Sequence, residues 1–442
     1  MKPDNENRDA LQTASPSRRR MIAGAAVGLA APRLWGCDGR ANGFARPPYQ
    51  ASRLPDALPS YVGPVATRTR SPMATLADVR QVMSRTFHYA RDDLVGVQVI
   101  LGNWFADVAG ADGAEVGTGA PAMIRAAVEY PEGHITPLTF AGAETGVAPD
   151  GSQLLSDRGA VVIPVGARFW IRWWGDFPGR RGVPVNPVTP TYAPGGDGFE
   201  FGPSCRDRSH SVEPVRQQAA TLACGPLAIL GETRRPSFWL GADSRCYGQG
   251  DIGDLAGDTG ELARSLGGGY AYINAGIPAQ RMANLVDSSR SANQRALMAL
   301  GSHGIIQAGI NDLAMGHHSG RRLLEHLQTF ITVWGEARPL YACTLSPLSR
   351  STEGWKTRDG QSPAPGYGEI QLYNDALRAG ISGLAGVIDL AAETSDPGGV
   401  WRALPEGALT ADGIHPNPRG YAVIAASRRV NEAIGQAGEG DE

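Results

Sequence analysis

Ser237-Phe-Trp-Leu-Gly-Ala-Asp-Ser-Arg-Cys-Tyr-Gly248 is an apolar run that stops at Asp243-Ser244 and passes into small and polar residues. Unbroken apolar character over so short a stretch reads as a strand buried on both faces, and open α/β sheets place their ligands just beyond the carboxyl ends of such strands. Ser244 is therefore the candidate nucleophile. Taken alone, a serine after a strand is more often only a turn residue. The rest of the chain decides between the two.

Downstream, short apolar stretches alternate with segments of helical spacing. Tyr270–Asn274, Gly304–Ala308, Leu340–Leu345 and Val387–Leu390 read as strands, and Glu261–Leu266, Arg290–Leu300, Gly320–Trp334 and Gly368–Ala379 as helices. Repeated β-α units of this length predict a parallel sheet with helices on both faces and right-handed crossovers. The fold class expected for residues 233–432 is α/β, a three-layer flavodoxin-like domain with a five-stranded parallel sheet.

Four segments fall at strand ends of that sheet. Gly241-Ala-Asp-Ser244 follows the first strand. Asn274-Ala-Gly-Ile-Pro278 follows the second, and its Gly276 offers bare backbone that a ligand could approach. Gly309-Ile-Asn-Asp312 follows the third and puts the side-chain amide of Asn311 at its end. Asp412-Gly-Ile-His415-Pro-Asn-Pro-Arg-Gly-Tyr421 precedes the last helix, where Asn417 suits the N-cap and Pro418 the first helical position. Asp412 and His415 are left on the approach loop.

A serine hydroxyl is a weak nucleophile that needs a base, and the base needs a carboxylate to set its tautomer and stabilise its cation. His415 and Asp412 supply both. Acyl transfer also needs donors for an oxyanion, and the N–H groups of Ser244 and Gly276 with the Asn311 amide would serve. Asp243 and Asp312 are supporting residues, one fixing the nucleophile's turn and the other a cap beside Asn311. Each segment alone has a plain structural explanation; the four in this order do not.

At these residues the sequence resembles the SGNH (GDSL) hydrolase superfamily, over roughly Ser237 to Val430. The resemblance implies Ser244 as nucleophile, His415 as base, Asp412 as its orienting carboxylate, and Gly276 and Asn311 in the oxyanion hole. The family's Gly-Asp-Ser stands here as Ala242-Asp243-Ser244, with Gly241 one place earlier. Thr344-Leu-Ser-Pro347 is similar to the fourth strand end of these proteins. A β-rich domain ahead of the hydrolase is similar to exported bacterial members.

Residues 46–232 read differently. Pro47–Pro72 is Pro-rich and reads as a linker or irregular strand, and Leu76–Phe87 has the spacing of a short helix. Leu94–Phe105, Met123–Tyr130, Ile135–Phe140 and Val161–Trp174 are β-rich runs between turn residues, several of them alternating. They predict a jelly-roll-like β-sandwich. Gly175 to about Pro236 reads as long loops joining the two domains. Trp104, Trp170, Trp173 and Trp174 invite a sugar-stacking role, but the reading adopted is that they fill the core or an interdomain contact.

Residues 1–45 form a targeting segment. Arg18-Arg19-Arg20 stands directly before the mildly apolar Met21–Ala31, which resembles a twin-arginine export signal. Leu34-Trp35-Gly36-Cys37 resembles a lipobox that would anchor Cys37 to a membrane, and a cut near Ala41–Ala45 is the alternative. The expected location is exported, periplasmic or extracellular. Residues 433–442 read as a disordered acidic tail.

The 442 residues carry a net charge of -3, which gives no reason to expect nucleic acid as a partner. Without Cys37 an even set remains, Cys205, Cys224, Cys246 and Cys343, able to form disulfides after export. Cys205 with Cys224 is the most local pairing, and Cys246 with Cys343 would tie down the nucleophile's turn. No cluster has zinc-ligand spacing, and His317-His318 reads as a solvated pair. Neither metal nor cofactor is expected. The sequence thus points to a serine esterase acting on a small ester or an acylated glycan, such as an O-acetyl polysaccharide. An O-acyltransferase would use the same triad. A carbohydrate-binding protein with an inactive hydrolase domain is the reading from another class.

Overall fold

Strand β12 (Ser237–Ala242) is buried at every position and lies inside the parallel sheet that the sequence predicts. The structure is a computed structural model and describes residues 58–436 apart from 111–112, 188–194, 204, 219–221 and 223. The targeting segment with Cys37, and residues 437–442, lie outside the described residues.

The sheet runs in the order β13 (Ala271–Asn274), β12, β14 (His303–Gln307), β15 (Leu340–Cys343), β16 (Gly386–Ile388), and every neighbouring pair is parallel. That is the flavodoxin-like order. Pairing of Leu240 with Asn274 and of Ala242 with Gln307 aligns the strand ends. Three of the four expected segments are thereby delivered to one edge.

Ten helices lie among the described residues: α1 (Ser244–Tyr247), α2 (Glu261–Leu266), α3 (Met282–Val286), α4 (Ala292–Met298), α5 (Ile310–Ala314), α6 (Gly320–Trp334), α7 (Tyr367–Ala379), α8 (Ala391–Thr394), α9 (Pro418–Ala426) and α10 (Arg429–Gln436). Trp239 joins Ile273 and Ile306 in a core closed by α3, α4, α6 and α7. Its neighbours Phe238 and Leu240 face the opposite core, closed by α2, α9 and α10. This two-sided burial explains the unbroken apolar run of β12. Helix α6 starts where the Ser319 side chain accepts from the Arg322 amide, and packs Leu323, Leu327, Phe330, Ile331 and Trp334 inward at helical spacing. Helix α10 runs to Gln436, past the expected end of the domain at 432.

The first half consists of β1 (Tyr61–Pro64), β2 (Gln81–Tyr89), β3 (Leu94–Gly102), β4 (Ala122–Glu129), β5 (Ile135–Leu138), β6 (Gly146–Ala148), β7 (Gln153–Leu155), β8 (Gly159–Ile163), β9 (Arg168–Asp176), β10 (Gly198–Phe201) and β11 (Ala228–Thr233), with shorter pairs between them. One antiparallel sheet has the order β1-β11-β3-β7 with β8 also on β3, and the other β10-β2-β9-β4-β5 with β6 on β4. Val97, Val99 and Ile229 of the first share a core with Ile124, Phe169, Ile171 and Trp173 of the second.

Two local expectations fail. The helix expected over Leu76–Phe87 is absent: Ala74–Leu76 is a short strand, and β2 pairs with β9 over its whole length. Nine residues of ladder, with Thr86, Phe87 and Tyr89 suited to strands, outweigh the helical spacing. The stretch expected to be loops up to Pro236 contains β11, which lies between β1 and β3. Flanking Gly and Pro residues hid it.

The described residues belong to one compact unit, which runs without a gap in packing through the boundary expected at 232/233. Ile100, Trp104, Leu227 and Leu230 enter the core beneath the parallel sheet. Residues 66–71 run along β13, with Tyr272 N–H donating to the Ala66 carbonyl (3.2 Å) and Ser71 N–H to that of Asn274 (3.1 Å). Trp104, Trp170 and Trp173 are all at most 3% exposed, which leaves them no face for a sugar.

The cysteines are a further correction. Cys205, Cys224, Cys246 and Cys343 are all buried free thiols. Cys224 Sγ lies 2.9 Å from the Pro184 carbonyl and Cys246 Sγ 3.5 Å from Asn274 Oδ1, so each is held by a separate acceptor. Burial pushes the thiols of Cys246 and Cys343 well above the usual range, as expected of inert core cysteines.

Trp239 stacks on Phe330 (centroids 5.9 Å apart, 17° between planes) and packs against Trp334 at 6.1 Å. Trp239→Ala is expected to lower unfolding free energy by about 3–5 kcal/mol in urea titration. A loss under about 1 kcal/mol would contradict this account of the core.

Candidate active site

Ser244 is the first residue of α1, and Asp243 caps that helix by accepting from the Arg245 amide at 3.0 Å. The second Asp243 oxygen is buried without a hydrogen-bond partner, and burial pushes the carboxyl up despite the opposing influence of Arg245. Ala242 is the last residue of β12 and packs into the core with Leu240. A methyl group therefore suits the place where the family has glycine, because the position is ordinary strand backbone.

Ser244 Oγ lies 2.8 Å from His415 Nε2, across 171 residues of sequence. His415 Nδ1 lies 2.7 Å from Asp412 Oδ2. The loop is folded by its own carboxylate: Asp412 Oδ1 accepts from the amides of Ile414 and His415, each at 2.8 Å. Thr410 completes the turn by donating to the His415 carbonyl at 2.7 Å. Helix α9 anchors the far side, with the Asn417 side chain accepting from Gly420 N–H and Pro418 in its first turn. Tyr421 donates to the Gln249 carbonyl at 2.9 Å, fastening that helix to the chain just beyond α1.

Partial burial pushes the Asp412 carboxyl up, but the hydrogen bond and charge of His415, with the two amides, outweigh it and hold it at about 2. Asp412 is thus ionised at neutral pH. An ionised carboxylate on Nδ1 keeps the proton there and leaves Nε2 free to accept from Ser244 Oγ.

Gly276 lies against the turn that carries Ser244. A Cβ there would stand 2.9 Å from Tyr247 N and 3.2 Å from the Asp243 carbonyl oxygen, so only glycine fits. Its N–H donates to Asn274 Oδ1 at 2.9 Å. The same side chain donates from Nδ2 to the Cys246 carbonyl at 3.0 Å. Asn274 is therefore the clamp between the second strand end and α1. An asparagine at a strand end has no distinctive pattern in sequence, so only the fold gives Asn274 this part.

Asn311 is in α5, and Nδ2 donates to the Gln280 carbonyl at 3.0 Å. An amide nitrogen has two hydrogens, so one remains for a ligand. Gly309 starts this helix at φ 139, where a Cβ would also meet Leu323 Cδ2 at 2.8 Å. Asp312 is fully buried and accepts from the amides of Met282 (2.7 Å) and Ala283 (3.1 Å), capping α3. His317 is exposed, whereas His318 is partly buried and turns in towards Asp312, so the two do not form a fully solvated pair. A cleft at the end of β15, lined by Leu345, Tyr367, Ile370 and Asn374, contains none of the triad.

No family model matches the chain, and no curated protein matches it. The solved structures it is similar to include lipolytic proteins of the G-D-S-L family and acetylesterases. One is a member of the lipolytic protein G-D-S-L family from Veillonella parvula, at 15% identity, covering 45% of this chain and 97% of that one with a TM-score of 0.31. A peptidoglycan O-acetylesterase is 12% identical over 86% of this chain and 77% of its own, with a TM-score of 0.36. A salicylyl-acyltransferase from a tetracycline biosynthetic pathway is 13% identical over 80% of each chain, with a TM-score of 0.31. The roles of individual residues rest on the geometry of this chain. Among the described residues no helix is long and apolar enough to cross a membrane.

Two predictions follow from the site's hydrogen bonds. The Asp412 carboxyl is held below its usual 3.8, at about 2, so its contribution to stability is present above about pH 4 and lost as the pH falls through 2. Urea unfolding of wild type and Asp412→Asn should therefore differ more at pH 5 than at pH 2; a difference independent of pH would contradict the assignment. Asn274→Ala should cost about 1–3 kcal/mol in the same assay, because it strands the Gly276 N–H and the Cys246 carbonyl.

Proposed function

We propose that this protein is a serine esterase of the SGNH type that cleaves a carboxylic ester through an acyl-enzyme. The observation that carries the reading is the unbroken line Ser244 Oγ–His415 Nε2–Asp412 at 2.8 and 2.7 Å, assembled at the end of a parallel sheet. An inactive binding module has no need of it.

In the proposed reaction Ser244 Oγ attacks the ester carbonyl while its proton passes to His415 Nε2. The imidazolium is stabilised by Asp412. The tetrahedral oxyanion is received by the Ser244 N–H, which as the first amide of α1 has no intrahelical acceptor, and by the second hydrogen of Asn311 Nδ2. Gly276 N–H can join them only by sharing its hydrogen with Asn274. Collapse expels the alcohol, which takes the proton from His415. Water then enters, gives a proton to His415, and releases the acid as Ser244 regains its hydrogen. Asp243 and Asp312 support this site by fixing the turns that hold Ser244 and Asn311.

The substrate proposed is a small ester or a short-chain acylated glycan, O-acetyl in the simplest case. Its support is the export-type leader in the sequence together with a triad whose Asp412 side chain is half exposed. Trp104, Trp170 and Trp173 lend none, being buried. We read the two antiparallel sheets as a sandwich that braces the catalytic half, and the mature protein as exported, with membrane contact only through a lipid on Cys37.

Hydrolysis of a chromogenic acetate ester by the purified protein is the expected activity. Ser244→Ala should abolish it, and Asp412→Asn should lower kcat by about 10³–10⁴-fold, since the base would lose its tautomer control. Full activity in Ser244→Ala with an unchanged circular dichroism spectrum would overturn the reading. Adding an acceptor sugar while following free acetate separates hydrolysis from acyl transfer.

A further inference from the structure

Beside Asn311 stands a cluster whose two histidines have no part in the esterase mechanism and whose carboxylate, Asp312, enters it only as the cap of α3. Asp312, His318 and His326 each direct one ligand atom into a common space, all within 4.8 Å of one another. We propose that these three residues bind one divalent transition-metal ion of the zinc class. The proposal is independent of the esterase reading, because it rests on different atoms.

The distances argue against a simple hydrogen-bonded trio. Asp312 Oδ1 stands 3.5 Å from His326 Nδ1 and 3.7 Å from His318 Nδ1, too far for good hydrogen bonds. Two ligands on one tetrahedral zinc, with bonds of about 2.0–2.1 Å, stand about 3.3–3.4 Å apart. Both separations are within a few tenths of an ångström of that. The rings meet edge to face, with centroids 5.2 Å apart and planes at 68°, so they do not fill the space by stacking.

Both Nδ1 atoms are sealed from solvent and have no hydrogen-bond partner. Such an atom is costly to leave unsatisfied, and His326 is only 8% exposed. A proton shared with Asp312 could satisfy one of the two imidazoles by a small movement. A metal ion satisfies both at once. The carboxylate is ready for this: its backbone bonds to Met282 and Ala283 use one lone pair on each oxygen and leave others free.

Two imidazoles and one carboxylate form a donor set for a borderline ion, and not for calcium or magnesium, which take oxygen ligands. His318 has a side chain 29% exposed, which gives the ion an entry path and leaves a position for water. The ligands come from α5, from the turn after it and from α6, while Asp312 also caps α3. A bound ion would lock these elements together around Asn311, the residue adjacent to Asp312. The spacing Asp-x5-His-x7-His matches no familiar zinc signature. Only the fold brings the three together.

The test is metal uptake by the purified full chain, stripped with a chelator and titrated with zinc chloride and, separately, cobalt chloride. One equivalent per chain is expected, with a rise in Tm on adding zinc and the intense visible bands of a four-coordinate cobalt site. His326→Gln and His318→Gln should each weaken zinc binding by about 100-fold or more, beyond the 10–100-fold typical of outer-shell changes. His318 is partly exposed, so its variant decides the matter if His326→Gln fails to fold. No stoichiometric uptake by the wild type, or uptake unchanged in His318→Gln, would overturn the proposal.

Discussion

Six consecutive residues, Ser237–Ala242, have no exposed face, and this constraint fixes where the chemistry can occur. A strand buried on both sides must be covered by two layers of helix, and it can offer a polar side chain only where it ends. Trp239 fills one layer while Phe238 and Leu240 fill the other. With the strand locked in register between β13 and β14, the turns carrying Ser244, Gly276 and Asn311 emerge at one edge. Precision at the site is inherited from the packing of the core.

The edge itself is held by short polar contacts more than by apolar area. Asn274 spans from the end of β13 to the carbonyl of Cys246, two residues past Ser244, and also takes the Gly276 amide. Asp312 plays the matching part on the other side, taking two amides of α3 while its neighbour Asn311 faces Gln280. His415 comes from a loop far away in sequence, and Asp412 shapes that loop with the same carboxylate that orients the imidazole. One residue thus does structural and electrostatic work together. The antiparallel half contributes through residues 66–71 along β13 and through Trp104 in the core below, so it braces the sheet.

The parallel half was legible because its signals are local. Apolar runs, the Gly320–Trp334 stripe, and the Asn417-Pro418 helix start all lie within one element, and each carries its reason in its own residues. Ser244, His415 and Asp412 could be named because acyl chemistry calls for those three residue types together, one at a strand end and two on the loop before the last helices. What escaped was set by distant partners. Strand β2 carries helical spacing yet pairs with β9 along its length, and β11 hides among Gly and Pro residues until its neighbours β1 and β3 claim it. The cysteines number an even set, but all four are buried as free thiols. Asn274 and His326 have ordinary sequence surroundings, and only the fold places one across the turn of Ser244 and the other facing Asp312.

The proposed chemistry requires Ser244 to be an activated nucleophile held by His415 and Asp412. Its most direct test is a reaction of the intact protein with a fluorophosphonate, followed by mass spectrometry of the whole chain and of its peptides. The account predicts a single adduct, located on the peptide containing Ser244 and strongly diminished in His415→Ala. An adduct on another serine, or no adduct while the protein remains folded, would contradict it.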